Sequence, residues 1–114
     1  MLTLKKNNEF QNVFQKGKWY SGKFIVMYVV KNNCEINKIG IAVGKKIAKS
    51  VKRNRIRRVI REAYRQNQNN ILKGNDIVIV WRNGIEYEKV NLENIQKDLL
   101  KCLKKAEILM DTGV

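Results

Sequence analysis

The chain has 114 residues, with 24 Lys and Arg against 10 Asp and Glu, for a formal net charge of +14. That length suits one domain with a single modest core, and 44% hydrophobic residues exclude a disordered polyelectrolyte. The charge excess implies a polyanionic partner bound in a salt-dependent way. With no His and only Cys34 and Cys102, a zinc site and a disulfide framework are excluded as readings. Residues 1–6 hold no long apolar region, and no run approaches a membrane span. The expected setting is a reducing cytoplasm, with two free thiols and no membrane contact.

In chain order, residues 8–15 read as a short helix ending near Lys16 and Gly17, with Phe10, Val13 and Phe14 on one face. By pattern alone both phenylalanines are core residues. Residues 18–22 read as a loop whose Trp19 and Tyr20 either stack on a ligand or cover the end of the core. Residues 24–30 form a strand too apolar for a simple half-exposed edge. Residues 32–37 are a turn by composition. Residues 39–43 form a second strand, paired most simply with the first as a hairpin.

Residues 49–65 dominate the chain. Ile56, Val59, Ile60 and Ala63 recur at spacings of three and four, without Pro or Gly, and predict a helix with Ser50 as its N-cap. At about 100° per residue those positions make a narrow seam. Asn54, Arg57, Arg58, Arg61 and Arg65 gather opposite, flanked by Arg53 and Arg55. A merely solvated face usually mixes signs, because like charges at i,i+4 oppose a helix by a few tenths of a kcal/mol per pair. Here Arg53, Arg57, Arg61 and Arg65 form a ladder with only Glu62 to offset it. Arginine suits bidentate phosphate recognition and stacking on bases. Lys45, Lys46, Lys49 and Lys52 extend this face into one positive patch, so these residues are the candidate RNA-binding set.

Beyond Arg65 the pattern fades, and residues 73–75 punctuate a turn. Residues 76–82 form a third, continuously apolar strand expected at the centre of the sheet. The strand–helix–strand order makes two strands parallel. A last helix spans about 91–109, with Asn91 as N-cap and Leu92, Ile95, Leu99, Cys102, Leu103 and Ala106 as its apolar stripe. The predicted fold is an α/β (α+β) sandwich, a small mixed sheet with helices packed on it in the order α-β-β-α-β-α.

Catalysis by protein side chains is not expected. A nuclease needs carboxylates around a metal ion, or His as acid or base, and the ten acidic residues are scattered. Glu86 and Glu88 alternate without an obvious third ligand. Neither catalytic residues nor a protein-held metal are therefore assigned. A transcription factor reading duplex DNA is disfavoured by the lack of a second helix at helix-turn-helix spacing.

Residues 38–65 carry Gly40-Ile41-Ala42-Val43, then Lys45-Lys46, a short spacer and Arg53-Asn54-Arg55. This closely resembles the signature of the bacterial ribonuclease P protein, the small subunit of the ribonucleoprotein that removes the 5′ leader from precursor tRNA. Family members commonly carry Ser where this chain has Gly44, which removes one hydroxyl. The resemblance implies a ribosomal-protein-like fold with an unusual left-handed βαβ crossover. It implies an endonuclease holoenzyme whose chemistry, with Mg²⁺, belongs to the partner catalytic RNA. It also implies that Phe10 and Phe14 border a cleft for the single-stranded leader, served by Lys5, Lys6 and Lys16. A further cleft contact falls at Met27 or Tyr28. Adjacent strand side chains point to opposite faces, so only one of the two lines it. The alternative is a structural, ribosomal-type RNA-binding protein with no part in cleavage.

Overall fold

The computed structural model describes residues 1–110. Three helices, α1 (Asn7–Lys16), α2 (Ser50–Asn67) and α3 (Leu92–Lys105), pack on a five-stranded mixed sheet. Its strands are β1 (Leu2–Thr3), β2 (Lys18–Ser21), β3 (Ile25–Lys31), β4 (Lys38–Ala42) and β5 (Asn75–Trp81), in the spatial order β1-β4-β5-β3-β2. The mixed α/β sandwich expected from the sequence is present.

The sheet is organised by β5. Ile77, Val78 and Ile79 are 0% exposed and Trp81 is 1% exposed, so this strand is covered on both faces. Each such side chain contributes roughly 1.5–3 kcal/mol through burial. A strand of that composition gains most with a partner on each edge, and β5 inserts between β3 and β4. It runs antiparallel to β3 and parallel to β4. The predicted hairpin of β3 with β4 is therefore absent, although the parallel pair flanking α2 is as expected.

Two strands escaped the sequence reading. The segment expected as a loop at residues 18–22 contains β2, antiparallel to β3. At four residues between Gly17 and Gly22 it is too short to display alternation. β1 has only two residues and pairs in parallel with β4.

The two faces of the sheet carry separate cores. On one, Ile25, Met27, Ile39, Ile77, Ile79 and Trp81 meet Ile56, Ile60, Ala63 and Tyr64 of α2 and Ile95, Leu99, Cys102 and Leu103 of α3. Burial pushes the Cys102 thiol up to about 11, which marks a packing residue rather than a reactive one. On the other face α1 places Val13 beside Leu4 and Val78, with Phe10, Phe14, Tyr28, Val30, Ala42 and Val80 only half covered. Gly40 lets the Phe10 ring lie close against the sheet: a Cβ there would stand 2.6 Å from the ring.

α3 begins at Asn91, whose side chain accepts from the Asn94 backbone N–H at 2.8 Å, as a cap should. It ends earlier than predicted. Glu107 takes a positive φ of 59°, and the chain turns back so that the Leu72 N–H reaches the Ile108 carbonyl at 2.7 Å. One polar residue of α3 is buried: Asp98, 5% exposed. Its carboxylate accepts the backbone N–H groups of Lys23, Phe24 and Ile25 at 2.7, 2.8 and 2.9 Å. This clamps the β2–β3 turn onto α3 in a space where only Gly22 fits. Asp98→Ala strands three backbone donors, two of them buried, so it should destabilise the protein by about 3 kcal/mol in urea unfolding. An unchanged midpoint would contradict this role.

Candidate nucleic-acid interface

α2 presents its seam inward and its charge outward. Lys49, not Ser50, occupies the N-cap position, and no side chain caps the helix there. The cap is replaced by a different device. The Arg53 guanidinium folds back and donates to the carbonyls of Ala48 at 2.6 Å and Lys45 at 3.1 Å. Half-buried, it ties down residues 45–48 and so positions Lys45 and Lys46, both exposed.

The rest of the predicted ladder is equally differentiated. Arg57 donates to the Asn54 side-chain oxygen at 3.0 Å, so the amide orients an arginine. Arg65 makes a two-pronged contact with Glu62, Nε to Oε2 at 2.9 Å and Nη2 to Oε1 at 2.6 Å. Hydrogen bonds from Arg65 and Gln66 hold the exposed Glu62 carboxyl down to about 2. The pair is fully formed above the ordinary carboxylate range and is lost as pH falls through about 2. Arg55 leans the other way, donating to the Val90 carbonyl at 3.1 Å. Its guanidinium carbon lies 5.4 Å from the Tyr87 ring, and Lys52 Nζ lies 4.7 Å from the same ring. Tyr87 had no sequence signal, since a lone Tyr in a polar turn carries no periodicity. Arg58 and Arg61 stay exposed, with no acceptor among the described residues.

The second half of the site lies on the opposite face of the sheet. The Phe14 ring meets the Tyr28 ring edge-on, centroids 4.9 Å apart, and both remain half-exposed. Met27 points the other way and is 0% exposed in the core beneath α2 and α3. Met27 therefore cannot line a cleft beside Phe14, contrary to that alternative of the sequence reading, because the pleat places it on the opposite face. Lys5 and Lys6 flank the start of α1. Glu9 accepts their backbone N–H groups at 3.2 and 3.0 Å, and these bonds hold its carboxyl below the usual range. Lys16 stands at the far end of α1, in a separate depression with Lys18, Lys31 and Lys73.

The two halves meet at one point. Arg61 reaches the edge of the sheet and lines a small depression, about 170 Å³, with Thr3, Phe10, Gly40 and Ile41. A depression of about 720 Å³ lies at the opposite end of β4 and α2 from Lys45 and Lys46. It is walled by Met1, Leu2, Ile36, Leu72 and Met110 and contains none of the predicted site residues. Among the described residues, no group of three or more His, Cys, Asp or Glu could hold a metal ion.

The Ribonuclease P family model matches residues 1–107. The chain belongs to the ribonuclease P protein family. It is 43% identical over 106 residues to the ribonuclease P protein component of Clostridium botulinum, covering 92% of this chain and 94% of that one. To that of Natranaerobius thermophilus it is 38% identical, covering 96% and 93%. The fold matches the Staphylococcus aureus RNase P protein with a TM-score of 0.83 at 31% identity, over 96% of this chain and 98% of that one. It also matches the Thermotoga maritima RNase P protein with a TM-score of 0.83 at 32% identity, over 92% and 97%.

The uneven engagement of the arginines separates structural from free charge. Arg58→Ala and Arg61→Ala should each reduce the slope of log K against log salt for RNA binding by about 0.7–0.9 without moving the unfolding midpoint. Arg53→Ala should lower the unfolding free energy by about 1 kcal/mol, with a matching fall in the midpoint. Identical behaviour of all three would contradict the assignment.

Proposed function

We propose that this chain is the protein subunit of ribonuclease P, working in the cytoplasm with a catalytic RNA and a precursor tRNA. The free cations Lys45, Lys46, Lys49, Arg58 and Arg61 dock on the catalytic RNA and offset phosphate repulsion within the assembly. Lys52, Arg55, Arg57 and Arg65 add to the field while partly engaged by protein groups, and Asn54 sets the orientation of Arg57. Arg53 acts indirectly, by fixing the loop that carries Lys45 and Lys46.

The half-covered face around Phe10, Phe14 and Tyr28 holds the single-stranded 5′ leader. Every base has a π-face, so aromatic platforms beside cations bind single strands with little sequence demand. The observation that carries this reading is the junction of Arg61 with Phe10 in one depression. It makes the cationic helix and the aromatic face a continuous surface rather than two unrelated patches. Mg²⁺ bound by the RNA would supply the charge stabilisation for phosphodiester cleavage. The protein's own contribution is positioning: charge that lets the RNAs approach, and a groove that recognises the strand mature tRNA lacks.

Phe14→Ala removes one stacking wall. It should weaken holoenzyme binding of precursor tRNA about fivefold or more, the lower range for base–aromatic stacking, and leave mature tRNA binding unchanged. Equal loss for both ligands would contradict the leader groove.

A further inference from the structure

We propose that Trp19 forms an additional stacking subsite for a base of the single-stranded leader, one strand beyond the Phe14–Tyr28 pair. The proposal rests on the leader-groove reading and extends its reach across the sheet.

Three observations converge on Trp19. First, its side chain is left in water: Trp19 is 64% exposed, whereas Trp81, the other tryptophan, is 1% exposed. Second, its register puts it on the groove face. Trp19 is the direct antiparallel partner of Tyr28, and directly opposed residues project from the same side with Cβ atoms roughly 4.5–5.5 Å apart. Its neighbour Tyr20 is the partner of Met27 and packs on the opposite core. The edge strand thus divides two consecutive aromatics, one committed to the core and one held outside it.

Third, the position completes a line. Gly40, Val78, Tyr28 and Trp19 are successive register partners across β4, β5, β3 and β2. Phe10 lies over Gly40, and Phe14 abuts Tyr28. Aromatic surface therefore recurs along one cross-strand row, from the Arg61 edge of the sheet to the β2 edge. With the arginine helix seated on the catalytic RNA, the Trp19 end of that row receives leader nucleotides farther from the cleavage site.

Trp19→Ala, Trp19→Phe and Phe14→Ala holoenzymes, assembled with a bacterial ribonuclease P RNA, would be titrated with precursor tRNAs whose leaders are shortened stepwise, and with mature tRNA. Trp19→Ala is expected to weaken binding of long-leader precursors about fivefold, with the deficit vanishing as the leader is trimmed. Mature tRNA should bind unchanged, and Trp19→Phe should restore most of the loss. Selective loss in Phe14→Ala with none in Trp19→Ala would overturn the Trp19 subsite and leave the groove standing. A Trp19→Ala deficit shared by mature tRNA would also overturn the subsite. Absence of any leader-dependent loss in either variant would overturn both readings. Because Trp81 is buried, quenching of protein fluorescence by a single-stranded RNA oligonucleotide should report Trp19 and disappear in Trp19→Phe; no quenching in the parent protein would likewise overturn the subsite.

Discussion

A strand that must be dry on both faces sets the architecture of this protein. Ile77 and Ile79 project to one side of β5 and Val78 to the other, all without exposure, so helices have to cover both surfaces. α2 and α3 together seal one face. On the other side α1 has ten residues and buries only Val13 fully, so Phe10, Phe14, Tyr28, Val80 and Ala42 stay half-covered. The half-covered apolar face is thus a consequence of unequal helical cover over one central strand. A core that shields one side completely and the other incompletely leaves apolar surface where a partner with flat, apolar faces can complete it. Single-stranded nucleic acid is such a partner.

The same constraint governs the charge. α2 uses a narrow seam, Ile56, Ile60, Ala63 and Tyr64, to reach the core, which leaves most of its circumference for arginine. These cations are not equivalent. Arg53 is spent on the carbonyls of the preceding loop, Arg65 on Glu62, and Arg55 on Val90. Those contacts relieve part of the self-repulsion that a ladder of like charges imposes on a helix. What remains free is concentrated at Lys45, Lys46, Lys49, Arg58 and Arg61, and Arg61 reaches the aromatic face.

Much of this was legible in the chain because periodicity and composition report burial. The arginine helix, the central strand, the Asn91 cap and the apolar stripe of α3 all follow from local pattern. The failures have a common cause: they depend on partners distant in sequence. The choice of β5 rather than β4 as the neighbour of β3 is a comparison of strand edges, invisible to a window that sees one strand at a time. β1 and β2 are too short to show a period. Asp98 looked like one scattered acid among ten until three backbone N–H groups, more than seventy residues away, converged on it. Ser50 matched a cap preference, but Arg53 tied the preceding loop instead. The choice between Met27 and Tyr28 turned on strand parity, which the pairing with β2 and β5 decides.

The central claim is that the protein makes an RNA-catalysed cleavage possible by supplying charge and a groove. The most direct measurement is precursor-tRNA cleavage by a bacterial ribonuclease P RNA at low Mg²⁺, with and without this chain. Cleavage at the mature 5′ end that requires the protein is the predicted result. RNA binding without any rescue of cleavage would contradict the account, and so would cleavage by the protein with no RNA subunit present.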